Sequence, residues 1–149
     1  MKTLIVYDST YGNTEKIARA IGDAIGGDAR VVRAGGASLP GKESCDLLVV
    51  GSPTLGGRAS PDIQGFLDRL PDSVVKGMKL AAFDTRFSTR WVGIFGYAAG
   101  KIASKLKEKG GNLVAPPEGF FVKGKEGPLK DGELERAAGW AKGLVGGAR

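Results

Sequence analysis

Tyr7-Asp8-Ser9-Thr10-Tyr11-Gly12-Asn13-Thr14-Glu15 lies between two segments of opposite periodicity, and that placement decides the fold. Leu4, Ile5 and Val6 before it form a short apolar run that suits a buried strand. After it, Ile17, Ala18, Ile21, Ala24 and Ile25 recur at helical spacing. Hydroxyl residues, one glycine and one asparagine between a strand and a helix make an anion cradle. Backbone N–H groups and the hydroxyls of Ser9, Thr10 and Thr14 can converge on a phosphate at the positive end of the helix dipole. Neither the G-x-G-x-x-G pattern nor the Walker lysine is present, so the loop is expected to hold a terminal phosphate through neutral donors.

Working outward, strand and helix signals alternate along the chain. Residues 2–8, 29–34 and 79–83 read as strands, and 14–26, 97–109 and 131–145 as helices. Asp46 to Ser52 is a continuous apolar run, the pattern of a central parallel strand covered on both faces. Ser60-Pro61-Asp62 is an N-cap followed by proline at the first helical position, opening a helix over 60–69 with Ile63, Phe66, Leu67 and Leu70 inward. Residues 113–115 and 119–123 read as one strand interrupted by Pro116-Pro117. The last helix is expected to bury Leu134, Ala137, Ala138, Ala141 and Leu144. Five strands alternating with helices imply a parallel α/β sheet with helices on both faces. Ligands then bind beyond the carboxyl ends of the strands, where the strand order reverses.

Composition narrows the chemistry. The chain has 149 residues, one domain's worth. No apolar run approaches the ~18 residues of a membrane span. A strand starting within three residues of the N-terminus leaves no room for a signal peptide, so a cytoplasmic protein is expected. A single cysteine, Cys45, excludes an internal disulfide and reads as a buried or edge thiol without a chemical role. With no histidine, the usual general base and the commonest metal ligand are missing. Residues 1–75 carry 8 Lys/Arg against 9 Asp/Glu, and residues 76–149 carry 14 against 7. The basic half lacks the interleaved aromatics or module of a nucleic-acid binder. Lys101, Lys105 and Lys109 share one helical face, either solvated or a docking patch for an acidic partner.

The carboxyl-end loops hold the unusual residues. Beside the first lies Gly51-Ser52-Pro53-Thr54-Leu55-Gly56-Gly57, followed by Arg58. The third is Asp84-Thr85-Arg86-Phe87-Ser88-Thr89-Arg90-Trp91. Together they offer a glycine-flanked wall, an aromatic wall and a polar edge: a slot for a flat heteroaromatic ring whose tail ends in a phosphate. Flavin mononucleotide (FMN) fits that description. Arg58, Arg86 and Arg90 either face the ring or form a solvated rim. Trp91 is either a ring wall or core packing for the Val92, Ile94 and Phe95 segment.

The chain resembles the flavodoxin family over essentially its whole length. Ser9-Thr10-Tyr11-Gly12-Asn13-Thr14 matches the family's FMN phosphate loop, with Tyr11 as in the flavodoxin modules of flavo-diiron proteins. Gly51-Ser52-Pro53-Thr54 is similar to the start of the loop on the inner ring face. The resemblance implies a single domain, 1–149, folded as a flavodoxin-like three-layer α/β/α sandwich on a five-stranded parallel sheet of order 2-1-3-4-5. The resemblance, together with the slot read from the second and third loops, gives FMN held by Ser9, Thr10, Tyr11, Gly12, Asn13, Thr14, Pro53, Thr54, Leu55, Gly56, Gly57, Asp84, Thr85, Arg86, Phe87 and Trp91. Leu55 takes the position beside the inner face, and Gly56 that of the glycine whose peptide reorients on reduction. The Arg-rich third loop and the overall basic charge depart from the acidic family norm.

Other proteins of this fold fail on named positions. A phosphorelay receiver needs an aspartate where Gly51-Ser52 ends the central strand, and a low-molecular-weight phosphatase needs a cysteine and an arginine in the first loop. Two readings remain: a monomeric electron carrier between a partner reductase and an acceptor, or an FMN-dependent NAD(P)H:quinone-type oxidoreductase. The carrier is expected, because the chain has no histidine and shows no room for a nicotinamide domain.

Overall fold

A computed structural model of the chain describes residues 2–36, 45–55, 57–87 and 97–147. The strands are β1 (Thr3–Tyr7), β2 (Arg30–Arg33), β3 (Leu47–Pro53), β4 (Lys79–Phe87), β5 (Asn112–Leu113) and β6 (Glu118–Val122). The helices are α1 (Asn13–Ile25), α2 (Pro61–Arg69), a single turn α3 (Asp72–Val75), α4 (Ala98–Glu108) and α5 (Glu133–Gly147). All strand pairings are parallel, in the order β2-β1-β3-β4-β5, with β6 also paired to β4. β5 pairs with Lys79 and Leu80, and β6 pairs with Phe83 to Phe87 farther along the same edge. They are two halves of one fifth strand, broken around Pro116-Pro117, where a ladder N–H is missing. This is the flavodoxin-like sandwich with sheet order 2-1-3-4-5.

The two-residue period of the strands builds two cores. Leu4 and Val6 of β1, with Leu48 and Val50 of β3, join Ile63, Phe66, Ile102 and Leu106 from α2 and α4. Ile5, Tyr7, Leu47 and Val49 point the other way, onto Ile17 and Ile21 of α1 and Ala141 and Leu144 of α5. β1 and β3 are therefore apolar at nearly every position because both their faces are covered. Gly51 has a packing reason: a Cβ there would fall 2.0 Å from Phe83 Cζ. That ring is one of a trio, edge-on to Phe120 and Trp140 at 6.1 Å each. α2 begins as the sequence suggests, with Ser60 Oγ accepting from the Ile63 N–H at 3.4 Å and Pro61 in the first turn.

Two sequence expectations need correction. β4 does not stop at Phe83 but continues through Asp84 and Thr85, paired to both β3 and β6, and through Arg86 and Phe87, paired to β6. Leu134 is 43% exposed instead of buried. The α5 face that turns inward near its start carries Glu133, whose carboxylate accepts from the Phe121 N–H (2.7 Å) and from Arg136 (2.7 and 2.9 Å). Arg136 holds Glu133's carboxyl below the usual carboxylate range; burial opposes this and the Phe121 N–H adds to it. No helix among the described residues is long and apolar enough to cross a membrane. Cys45 is buried, which raises its thiol pKa.

Candidate functional site

β1, β3 and β4 end side by side, and the residues leaving them surround one cavity of ≈ 300 Å³. Its first wall is the loop into α1. Gly12 is the N-cap and sits at φ 91°, ψ −6°, a left-handed conformation that glycine adopts without steric cost. Its N–H donates to Ser9 Oγ (3.0 Å), so the Ser9 hydroxyl keeps its own proton to give. The Ser9 N–H in turn donates to Asp8 Oδ1 (2.9 Å). The first-turn N–H groups of α1 have no intrahelical acceptor and point toward the loop. Thr14 Oγ1 and Thr85 Oγ1 lie 2.7 Å apart and buried. One hydroxyl satisfies the other, and the pair has one O–H left to donate.

The second wall leaves β3. Thr54 is held by its N–H to Thr85 O (3.0 Å) and by its Oγ1, which accepts the Ala98 N–H at the start of α4 (3.2 Å). Leu55 and Arg58 then exchange two backbone hydrogen bonds (2.8 and 3.0 Å) around a tight turn. Gly57, at φ 79°, supplies the left-handed residue that turn needs. The third wall is the end of β4. Asp84, fully buried, accepts from Arg86 Nε (2.7 Å) and Nη2 (2.8 Å), and also from the Ala99 N–H of α4 (2.9 Å). Arg86 passes over Gly119, where a Cβ would come 2.1 Å from Nε, and its guanidinium carbon lies 3.4 Å from the Tyr97 ring centroid. Arg86 thus enters the cavity wall already ion-paired and stacked.

Of the residues expected at the site, Ser9, Thr10, Tyr11, Asn13, Thr14, Pro53, Thr54, Leu55, Thr85, Arg86 and Phe87 line this cavity. Gly12, Gly57 and Asp84 do not line it but shape its three walls. Gly56, Trp91 and Arg90 lie outside the described residues. Of the arginines that either face the ring or form a rim, Arg86 lines this cavity and Arg58 does not. Arg58 lines a separate cleft of ≈ 340 Å³ between α2 and α4, with Gln64, Lys101 and Lys105. That cleft lacks an anion-binding loop. On the lysine face, Lys105 pairs with Asp68 (2.8 Å), while Lys109 donates to Leu70 O (2.9 Å) and pairs with Asp72 (3.3 Å). Two of its three cations therefore have partners within the chain.

The sequence reading missed Val122 and Lys125, which close the cavity from the fifth strand. The available signal was the Gly-Pro turn at Gly127-Pro128, at the carboxyl end of an interrupted strand. On the outer side of the phosphate loop, Arg33 pairs with Asp8 (3.2 Å) and donates to Ser9 O (3.0 Å). Glu15 is held below the usual carboxylate range by its hydrogen bond from Arg19. Both acids near the loop are neutralised.

Tyr11, Leu55 and Phe87 are 48%, 44% and 37% exposed, and all three rim the cavity. They are three of the four large apolar side chains exposed among the described residues. A phosphate cradle beside an exposed apolar slot, at the ends of central parallel strands, defines a domain that binds a planar ring with a phosphorylated tail. The flavodoxin family model matches residues 5–140, and the chain belongs to the flavodoxin family of FMN-binding domains. Among curated relatives, a diflavin flavoprotein A 4 of Synechocystis sp. is 32% identical over 123 residues, 74% of this chain. The chain spans about a fifth (19%) of that protein. A flavodoxin of the same organism is 30% identical over 121 residues, 78% of this chain and 71% of its own length. Among solved structures, a flavodoxin from the domain Archaea superposes with a TM-score of 0.83 at 26% identity, covering 99% of both chains.

The residues present fit FMN. The cavity volume falls at the lower end of the few hundred Å³ usual for ligand sites. Its lining combines the hydroxyl and amide side chains of Ser9, Thr10, Asn13 and Thr14 with Tyr11, Leu55, Phe87 and Val122, the mix that a phosphate and a ring require.

Proposed function

We propose that the chain is an electron carrier of flavodoxin type, passing electrons between redox partner proteins with no substrate turned over on the chain itself. The observation that carries this is the gathering of three exposed apolar side chains around a cradle built for a phosphate. When bound, FMN supplies a ring that takes up and releases electrons singly. The chain's own residues do the rest. Ser9, Thr10, Thr14 and the first turn of α1 fix the phosphate, and Leu55 and Phe87 flank the ring and exclude water from it. Gly56 belongs to the ring site by the position that the family resemblance gives it. The chain supplies no histidine for proton transfer, and the one guanidinium lining the cavity among the described residues is committed to Asp84. Partners are proteins whose acidic surfaces meet the basic chain near the Leu55–Arg58 turn, where Arg58 and Lys101 share a cleft.

The test is stepwise photoreduction of the FMN-loaded protein, followed by visible absorption. A carrier accumulates a one-electron-reduced form, and NADPH alone reduces it only slowly. Rapid bleaching by NADPH without a radical form would instead support a reductase.

A further inference from the structure

The phosphate loop contains no lysine or arginine, and the carboxylates beside it, Asp8 and Glu15, already have arginine partners. Besides Arg86, which is committed to Asp84, one further cation among the described residues lines the cavity with Ser9, Thr10 and Asn13: Lys125, which comes from beyond the end of the fifth strand. Its segment is not a loose loop. Val122 and Leu129 form a bridge, the Lys123 N–H donates to Pro128 O (2.8 Å), and the Lys130 N–H donates to Phe121 O (2.9 Å). The tip of this hairpin is fastened to the phosphate loop. Asn13 Nδ2 donates to Glu126 O at 3.1 Å, and a Cβ on Gly127, at φ 106°, would fall 2.6 Å from Asn13 Oδ1. Asn13 therefore ties the residue next to Lys125 to the first turn of α1. Lys123 is engaged with Asp131 (3.6 Å) and Lys130 lies over the Phe121 ring (5.6 Å). Lys125 has no protein partner among the described residues.

We propose that Lys125 is the counter-cation of the cofactor's phosphate, carried to the cradle by the 123–128 hairpin, so that the anion is held by an ion pair as well as by neutral donors. This rests on the FMN reading above. A phosphate monoester carries a charge of about −1.5 to −2 at pH 7. The helix terminus offsets roughly half a unit, leaving charge for an ammonium to meet. Lys125 is exposed, so its effect is modest and salt-sensitive.

The experiment titrates apoprotein with FMN and with riboflavin, which lacks the phosphate, for wild type, Lys125→Gln and Lys125→Arg, at low and high NaCl. Lys125→Gln is expected to weaken FMN roughly two- to fivefold at low salt, with the loss closing in ~1 M NaCl. Riboflavin affinity should stay unchanged, and Lys125→Arg should keep most of the FMN affinity. Equal weakening of FMN and riboflavin would overturn the proposal, because Lys125 would then act on the ring or on folding. Unchanged FMN binding by Lys125→Gln would overturn it too. Wild-type protein that binds riboflavin as tightly as FMN would overturn the phosphate placement itself, a failure distinguishable from that of Lys125 alone.

Discussion

Replacing Arg86 by Gln removes the cationic partner of a fully buried carboxylate in the cavity wall. The Asp84 carboxylate is 0% exposed and receives three hydrogen bonds, two from Arg86 at 2.7 and 2.8 Å and one from the Ala99 N–H at 2.9 Å. After Arg86→Gln, the Ala99 N–H and the N-terminal dipole of α4 are what still faces that charge among the described residues. An uncompensated buried charge costs about 3–5 kcal/mol, and a helix N-terminus offsets about 0.3–1 kcal/mol of it. Lost stacking on Tyr97, 3.4 Å from the guanidinium carbon, adds roughly 0.5–1 kcal/mol. The net expectation is about 3–5 kcal/mol, a large share of the ~5–15 kcal/mol total stability of a domain. Urea unfolding of apoprotein at pH 7, followed by far-UV circular dichroism, measures it. The double variant Asp84→Asn/Arg86→Gln keeps an acceptor for the Ala99 N–H and removes both charges, so it should recover at least half of the loss. An Arg86→Gln protein within ~1 kcal/mol of wild type, the range of a surface pair, would refute the buried-pair argument. So would a double variant equal to the sum of the singles, since residues in contact should show coupling.

Thr14→Ala removes a hydroxyl worth about 1.5–3 kcal/mol against a charged phosphate. FMN affinity should fall roughly 10- to 100-fold by flavin-fluorescence titration; a loss under about threefold would mean that Thr14 serves only Thr85. Because Asp84 cancels Arg86's charge, Asp84→Asn should raise the potential for electron uptake. An uncompensated charge ~8 Å from the ring is worth roughly 0.5–2 kcal/mol at an effective dielectric of ~20–80, or roughly 20–90 mV per electron; redox titration showing no shift would place Arg86 away from the flavin. Glu133 is held below the usual carboxylate range by Arg136, so its contribution is present above the unfolded pKa near ~4.3 and lost as pH falls through the lower folded value. Glu133→Gln should therefore cost about 1.5–3 kcal/mol at pH 7, with the gap to wild type narrowing below about pH 4.3; a gap that stays constant down to pH 3 would contradict the pairing.

What the sequence made legible was whatever one segment decides alone. β1 and β3 showed themselves because strands covered on both faces are apolar at every position, and α2 because Ser60-Pro61 caps and starts it locally. The phosphate loop was legible for the same reason, since Gly12 and its hydroxyl neighbours lie within one short stretch. What stayed hidden were polar residues made interior by distant partners. Asp84, Thr85 and Arg86 read as loop because a strand of such residues cannot be buried alone. They are strand because Arg86 neutralises Asp84 beneath Gly119 and because Thr85 meets a hydroxyl 71 positions away. Lys125 joined the site through a contact between residues 113 positions apart, from Asn13 to Glu126. Leu134 turned outward because the neighbouring Glu133 bonds the Phe121 N–H across to β6, which sets the start of α5 in a phase that its apolar periodicity does not specify. These cases share a cause: burying a polar group requires a partner, and local periodicity carries no information about partners. The wall of the cavity is built where β4 outruns its apolar pattern. A strand that continues in space after its hydrophobic signal has ended brings charged and hydroxyl groups, already paired, to the mouth of the sheet.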